Sequence, residues 1–256
     1  MARSTKSTGS TNTNLRWSVV RTLFELLYRN RTLYWLASTL PFAGQWRVWQ
    51  RLVLPRIDGR DVLEVGCGIG TLLADMIEAG YTCSAIDRSP QMVAATRDRL
   101  RRHRYTTEAA SVRQASVQQL PFDDASFDTA VSTFPTEYIY EPAALREIAR
   151  VLRPGGRLIV VLGATLLPAN ALVWPLVAVQ TLVYGRQQPW RSRGRGERNG
   201  ARGGPEIYTS DVLAQRLRAA GLMPDIERVR GPFWEATLYI AQKSVLPGGT
   251  SSHTLV

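Results

Sequence analysis

From Asp61 onward, short apolar runs alternate with segments whose apolar positions recur at helical spacing, the pattern of β/α units around a parallel sheet. The first run, Asp61–Val65, ends in Gly66-Cys67-Gly68-Ile69-Gly70 and leads into a helix over roughly 70–79 that Gly80 closes. A second strand is expected over 82–87. The helix after it starts at Ser89-Pro90, a good N-cap followed by a good first helical residue. Ser111 to Ser116 reads as a third strand and Phe127 to Thr133, after the turn Pro121-Phe122-Asp123-Asp124, as a fourth. A helix from Glu141 to Leu152 then meets Arg153-Pro154-Gly155-Gly156, a strong turn signal, with a fifth strand over Arg157 to Leu162. A helix from Thr209 to about Ala220 precedes Met223–Gly231 and Phe233–Gln242, two strands joined so tightly by Gly231-Pro232 that they must pair antiparallel. The expected fold class is α/β, a seven-stranded, mostly parallel sheet with a C-terminal antiparallel hairpin.

Two segments fall outside this alternation. Residues 15–56 read as helices rich in Trp, Tyr and Arg, an N-terminal helical cap or membrane-contact segment, and four of the seven tryptophans lie in the first fifty residues. Residues 163–205 read as a lid inserted after the fifth strand, uncharged to Gly185 and Arg/Gly-rich beyond it. The resulting division is a disordered tail over 1–14, the cap over 15–56, one domain over 57–243 interrupted by the lid, and a second tail over 244–256.

Charge sharpens the picture. The net charge of +11 is concentrated in residues 1–60, with ten Arg/Lys against Glu25 and Asp58, and in residues 186–205, with six Arg against Glu197. The core is nearly neutral, so the basic appendages suit an anionic surface, either phospholipid headgroups or nucleic acid. The 21 uncharged residues from Ala164 to Tyr184 are interrupted by Pro168 and Pro175. A helix over 169–184 would reach only about 24 Å, short of a membrane span. Two cysteines and two distant histidines give no metal set, and the Ser/Thr-rich N-terminus lacks the apolar core of a signal peptide. A cytoplasmic protein is expected, peripheral on the inner face of a membrane if the basic arms contact lipid.

The chemistry sits at the glycine turn. Gly66, Gly68 and Gly70 form G-x-G-x-G, and the third glycine of a dinucleotide fingerprint would fall on Thr71. Glu64, two residues before the first glycine, is placed to orient an ammonium, and Asp87, at the end of the second strand, to accept hydrogen bonds from ribose hydroxyls. LEVGCGIG at 63–70, Asp87 with Ser89-Pro90-Gln91-Met92, Leu120-Pro121-Phe122 with Ser126-Phe127-Asp128, and Arg146-Glu147-Ile148 through Gly156 occur in an order that resembles the class I S-adenosylmethionine-dependent methyltransferases. Within them the pattern is most similar to the branch of ubiquinone/menaquinone-biosynthesis and phospholipid N-methyltransferases.

The resemblance implies a Rossmann-like fold with S-adenosylmethionine as cofactor. It implies that Glu64 and Gly66, Cys67, Gly68 and Gly70 hold the methionine part, Asp87 the ribose, and Arg88 with Met92 the adenine face. Ser116 and Val117 stand where an acidic residue commonly meets the adenine amino group. Thr133 to Tyr140 would face the acceptor, with Thr133 at the cofactor, Glu137 drawing a cationic or amine acceptor, and Tyr138 or Tyr140 presenting a ring face to it. Methyl transfer to an apolar or amphiphilic acceptor, a lipid or quinone-like molecule at the membrane surface, is the expected function. A soluble small-molecule methyltransferase, an RNA methyltransferase and a non-catalytic S-adenosylmethionine-binding protein stand beside it.

Overall fold

The computed structural model describes residues 44–105, 110–167, 174, 175, 177 and 210–245. Residues 15–43 of the expected cap, most of the expected lid, the whole of the first expected tail and most of the second lie outside them. The described chain runs α1 (Gln45–Gln50), a 3-10 turn (Arg51–Arg56), β1 (Asp61–Val65), α2 (Thr71–Glu78), β2 (Thr82–Asp87), α3 (Pro90–Arg102), β3 (Ala110–Gln114) and β4 (Phe127–Thr133). A 3-10 helix (Glu137–Tyr140), α4 (Pro142–Val151), β5 (Leu152–Leu166), α5 (Ser210–Ala219), β6 (Leu222–Arg230) and β7 (Trp234–Lys243) follow.

All seven strands form one sheet in the order β3-β2-β1-β4-β5-β7-β6. The first five pair in parallel, and β7 runs antiparallel to both β5 and β6. The chain therefore winds outward from β1 to β3, then returns to continue from β4. That reversal opens a crevice outside the carboxyl ends of β1 and β4, the place where open α/β sheets bind ligands.

Alternation along the strands feeds two cores. Leu63, Val65, Ala130, Leu158 and Val160 face α4 and α5, packing with Leu145, Ile148, Leu213 and Leu217. Val62, Cys83, Ala85, Val131, Ile159 and Val161 pack on the opposite face with Leu72, Leu73 and Met76 of α2 and Val93 and Leu100 of α3. Both faces of β1 are thus covered, which explains its near-continuous apolar run. The second face also receives α1. Trp49 and Val53 are fully buried there, and Arg47 and Arg51 both reach the buried Asp75 of α2, Arg47 at 2.5 Å and Arg51 at 3.2 Å.

Three boundaries differ from expectation by more than one residue. β3 ends at Gln114, leaving Ser116 and Val117 in the connection beyond it. β5 begins at Leu152, and its Arg153-Pro154-Gly155-Gly156 turn is folded into the strand as a bulge, because pairing passes from Phe127↔Leu152 to Thr129↔Arg157. β5 then continues to Leu166, paired with Trp234. Residues 163–166, expected in the lid, therefore belong to the sheet. Ser244, expected in the tail, still donates its amide to Gly221. Among the described residues no helix is long and apolar enough to cross a membrane, and no cluster of His, Cys, Asp and Glu could hold a metal ion.

Candidate active site

The turn from β1 to α2 is pinned from two sides. The amides of Gly66 and Cys67 both donate to the carbonyl of Ile86, at 2.9 and 3.0 Å, and the Gly70 amide donates to Cys67 O at 2.9 Å. Gly66, Gly68 and Gly70 all hold positive φ, at 77°, 54° and 71°. At Gly70 conformation and space coincide, since a Cβ there would come within 2.6 Å of Thr96 Cγ2. Thr96, fully buried on α3, donates to the Gly68 carbonyl at 2.7 Å. Gly70→Ala is expected to cost about 2 kcal/mol of folding stability, from strain and overpacking, read as a lower denaturant midpoint at constant m-value.

Glu64 lies beneath this turn on the α2 face of the sheet, beside Ala85 and Val131 in the neighbouring strands. It is 2% exposed, and its Oε2 is buried without a hydrogen-bond partner. Burial holds its carboxyl well above the ordinary carboxylate range, with the charges of Asp87 and Asp75 pushing the same way. A buried carboxyl oxygen lacking a partner is costly, and a hydrogen-bond donor such as a primary ammonium fits it.

Asp87 closes the end of β2. Its Oδ2 accepts from the Gly68 amide at 2.9 Å and its Oδ1 from the Ser89 amide at 2.8 Å. Burial raises its pKa, against the lowering effect of those two amides and of Arg88. A carboxylate has about four acceptor positions, so two remain for a diol. Ser89 caps α3 by accepting from the Met92 amide at 3.4 Å. Met92 itself is 2% exposed, whereas the Arg88 side chain is exposed. Ser116 donates its hydroxyl to Gln118, and the Val117 side chain is buried in the α4 core. The Cys67 thiol is buried and pushed upward by desolvation, with Thr96 Oγ1 at 3.8 Å, as befits a packing residue.

The segment after β4 departs from its expected role. Tyr138 turns its hydroxyl into the strand ends, 2.7 Å from Ser132 Oγ and 3.2 Å from Val65 O, and Ser132 donates to the same carbonyl at 3.1 Å. A Cβ on Gly66 would lie 3.0 Å from that hydroxyl. Tyr138 thus props the glycine turn through its hydroxyl. Tyr140 is 7% exposed within the α4 core, a correction to its expected place at the acceptor, while Glu137 is exposed. Thr133 Oγ1 accepts from Gln50 of α1 at 3.3 Å. Phe134, at a left-handed φ of 51°, stacks on Trp46 with ring centroids 4.1 Å apart.

Ser132, Thr96 and the Trp46–Phe134 pair were not singled out by sequence reasoning. Thr96 was the most accessible of them, standing one helical turn after Met92 on the buried face of α3.

Residues 63–160 match the family model described as a methyltransferase domain. The chain is 34% identical over 145 residues to a demethylmenaquinone methyltransferase of Corynebacterium glutamicum, covering 55% of this chain and 58% of that protein. The chain thus spans under two thirds of the length of the curated relatives it matches. Among solved structures, the [4+2]-cyclase SpnF aligns with a TM-score of 0.56 at 21% identity, covering 78% of this chain and 82% of the cyclase. Geranyl diphosphate C-methyltransferase from Streptomyces coelicolor, solved with S-adenosyl-L-homocysteine, aligns at 0.53 and 13% identity, covering 77% and 78%. These likenesses show the fold, and a cyclase among them is a reminder that the fold hosts more than one chemistry.

Proposed function

We propose that this chain, which carries a class I S-adenosylmethionine-dependent methyltransferase domain over residues 63–160, transfers a methyl group to a quinone-like acceptor that it meets at a membrane surface. One observation carries the cofactor half of this reading: a buried carboxyl oxygen of Glu64 without a partner, beside Ala85 and so two positions along β2 from the Asp87 carboxylate. The two acids match two donor groups of that cofactor, its ammonium and its ribose diol. The acceptor half is supported by the name of the relatives and by the apolar, aromatic neighbourhood of Thr133 and Phe134.

When bound, S-adenosylmethionine supplies a methyl already activated on a sulfonium. The chain has therefore to position and to exclude water, and needs no nucleophile of its own. The amides pinned by Ile86 O hold the Gly66–Gly70 turn open for close approach of a ligand. Ser132 and Tyr138 fix the Val65 carbonyl, and with it the start of the turn. Helix α1 covers the carboxyl end of β4 through Gln50 and its aromatic side chains. The acceptor's displaced proton leaves to water.

The membrane half rests on the basic arms and on Val48 and Trp174, which are 44% and 61% exposed. The test incubates the purified chain with methyl-labelled S-adenosylmethionine and demethylmenaquinol, with and without anionic liposomes. Label is expected in the organic phase, at a rate raised at least about fivefold by anionic but not by neutral vesicles. Equal rates in both vesicle types remove the membrane half. Label only in the aqueous phase removes the quinone acceptor, and no transfer to any acceptor leaves a binding protein.

A further inference from the structure

We infer that Trp46 and Phe134 form an acceptor-specificity element, a stacked aromatic wall that takes the planar ring of a neutral acceptor beside the carboxyl end of β4; this deepens the reading above and rests on it for the cofactor's place. Phe134 follows Thr133, the last residue of the strand that borders the crevice. Its φ of 51° is a conformation an aromatic residue rarely adopts, and the surrounding structure maintains it. Its amide donates to Val161 O at 2.8 Å, its ring lies on Trp46 at an interplanar angle of 26°, and Trp49 meets it at 6.1 Å. Trp49 in turn sets its edge against Trp234 at 6.2 Å. The strained turn thus delivers one ring to a frame made by two others, while Trp46 and Phe134 stay half-buried at its rim.

Charge selects the class of acceptor. Arg47 of α1 and Arg51 of the 3-10 turn after it share Asp75, and Arg56 is paired with Glu227. Beside Phe134, the Gln50 amide and the Thr133 hydroxyl bond to each other. A neutral aromatic ring suits such a surface, whereas a diphosphate or carboxylate would have to compete with Asp75 and Glu227 for these arginines. Offset stacking on a held ring pair also fixes the plane of the acceptor, which an aliphatic wall would leave free.

The test measures equilibrium binding of menadione to the S-adenosylhomocysteine-saturated protein by dialysis, for wild type, Trp46→Leu, Trp46→Phe and Phe134→Leu. Trp46→Leu and Phe134→Leu are expected to weaken menadione binding about tenfold each, with non-additive loss in the double variant, while Trp46→Phe stays within about threefold of wild type. Binding of S-adenosylhomocysteine is expected to stay within about twofold throughout. In turnover with demethylmenaquinol the same loss is expected in KM, with kcat within about threefold. Wild type that does not bind menadione, or leucine variants that bind it unchanged, would overturn the inference. Equal loss of menadione and S-adenosylhomocysteine binding would also overturn it, assigning the ring pair to the integrity of the domain. Menadione binding without turnover would preserve the wall and remove the proposed reaction instead.

Discussion

Replacing Glu64 by Gln is expected to weaken S-adenosylmethionine binding roughly 100-fold at pH 7, measured by titration calorimetry. Glu64→Gln keeps shape and volume but cannot neutralise an ammonium in a site from which water is excluded. Leaving one buried charge of such a pair without its partner costs about 2–5 kcal/mol. The variant removes the one described carboxylate of β1 that is buried with an oxygen unpartnered.

The same side chain fixes the sign of a pH dependence. Burial raises the Glu64 pKa well above its ordinary value of 4.5, so the free protein holds a proton there in the range just above that value. An ammonium favours the ionised form, so binding expels that proton. Affinity for the cofactor should therefore rise as pH rises above 4.5, up to the range in which the ligand's own amino group titrates. Because the folded state binds the proton more tightly than the unfolded one, the contribution of Glu64 to stability falls over that interval as pH rises. Glu64→Gln should remove both slopes. Its melting temperature without ligand should gain on that of wild type as pH increases, and a gap that stays constant would refute the assignment.

Most of the sheet was legible because its signals are local. β1, β2 and β4 are apolar runs bounded by turn residues, and their observed limits match those read from the chain. β5 was misjudged at both ends for non-local reasons. Leu152 joins the sheet through Phe127, and Gly163–Leu166 remain extended because β7 pairs with them. Propensity around a Pro-Gly-Gly turn cannot anticipate a bulge imposed by a neighbouring strand.

The places of Glu64, the glycine turn and Asp87 in the fold could be read from their spacing, since each lies in or at the end of a strand whose limits are local signals. Tyr138 and Tyr140 could not be told apart in the same way. They share a short 3-10 helix, in which each residue turns by about 120°, so two residues apart they face different sides. One reaches the strand ends and the other the core. The stacking of Trp46 on Phe134 was hidden more deeply, because it depends on a positive φ at an aromatic residue and on a helix 88 positions earlier.

Asp87→Ala is the second large effect, and it separates two jobs held by one carboxylate. Each oxygen already accepts from a backbone amide, of Gly68 on one side and Ser89 on the other. Removing the carboxylate both releases the turn and strips the ribose of its acceptors, with an expected loss of roughly 100-fold in cofactor affinity. Asp87→Asn should be no better than about threefold stronger than Asp87→Ala. An amide has one oxygen to offer two N–H donors, and its NH2 would be set against the other. The decisive comparison uses 5′-methylthioadenosine, which has the ribose and adenine but no ammonium. Asp87→Ala should weaken this ligand and S-adenosylhomocysteine alike, whereas Glu64→Gln should weaken S-adenosylhomocysteine and leave methylthioadenosine within about threefold of wild type. Equal loss of both ligands in Glu64→Gln would mean that its carboxyl supports the turn rather than the ammonium. Retention of methylthioadenosine binding in Asp87→Ala would remove the ribose from its role.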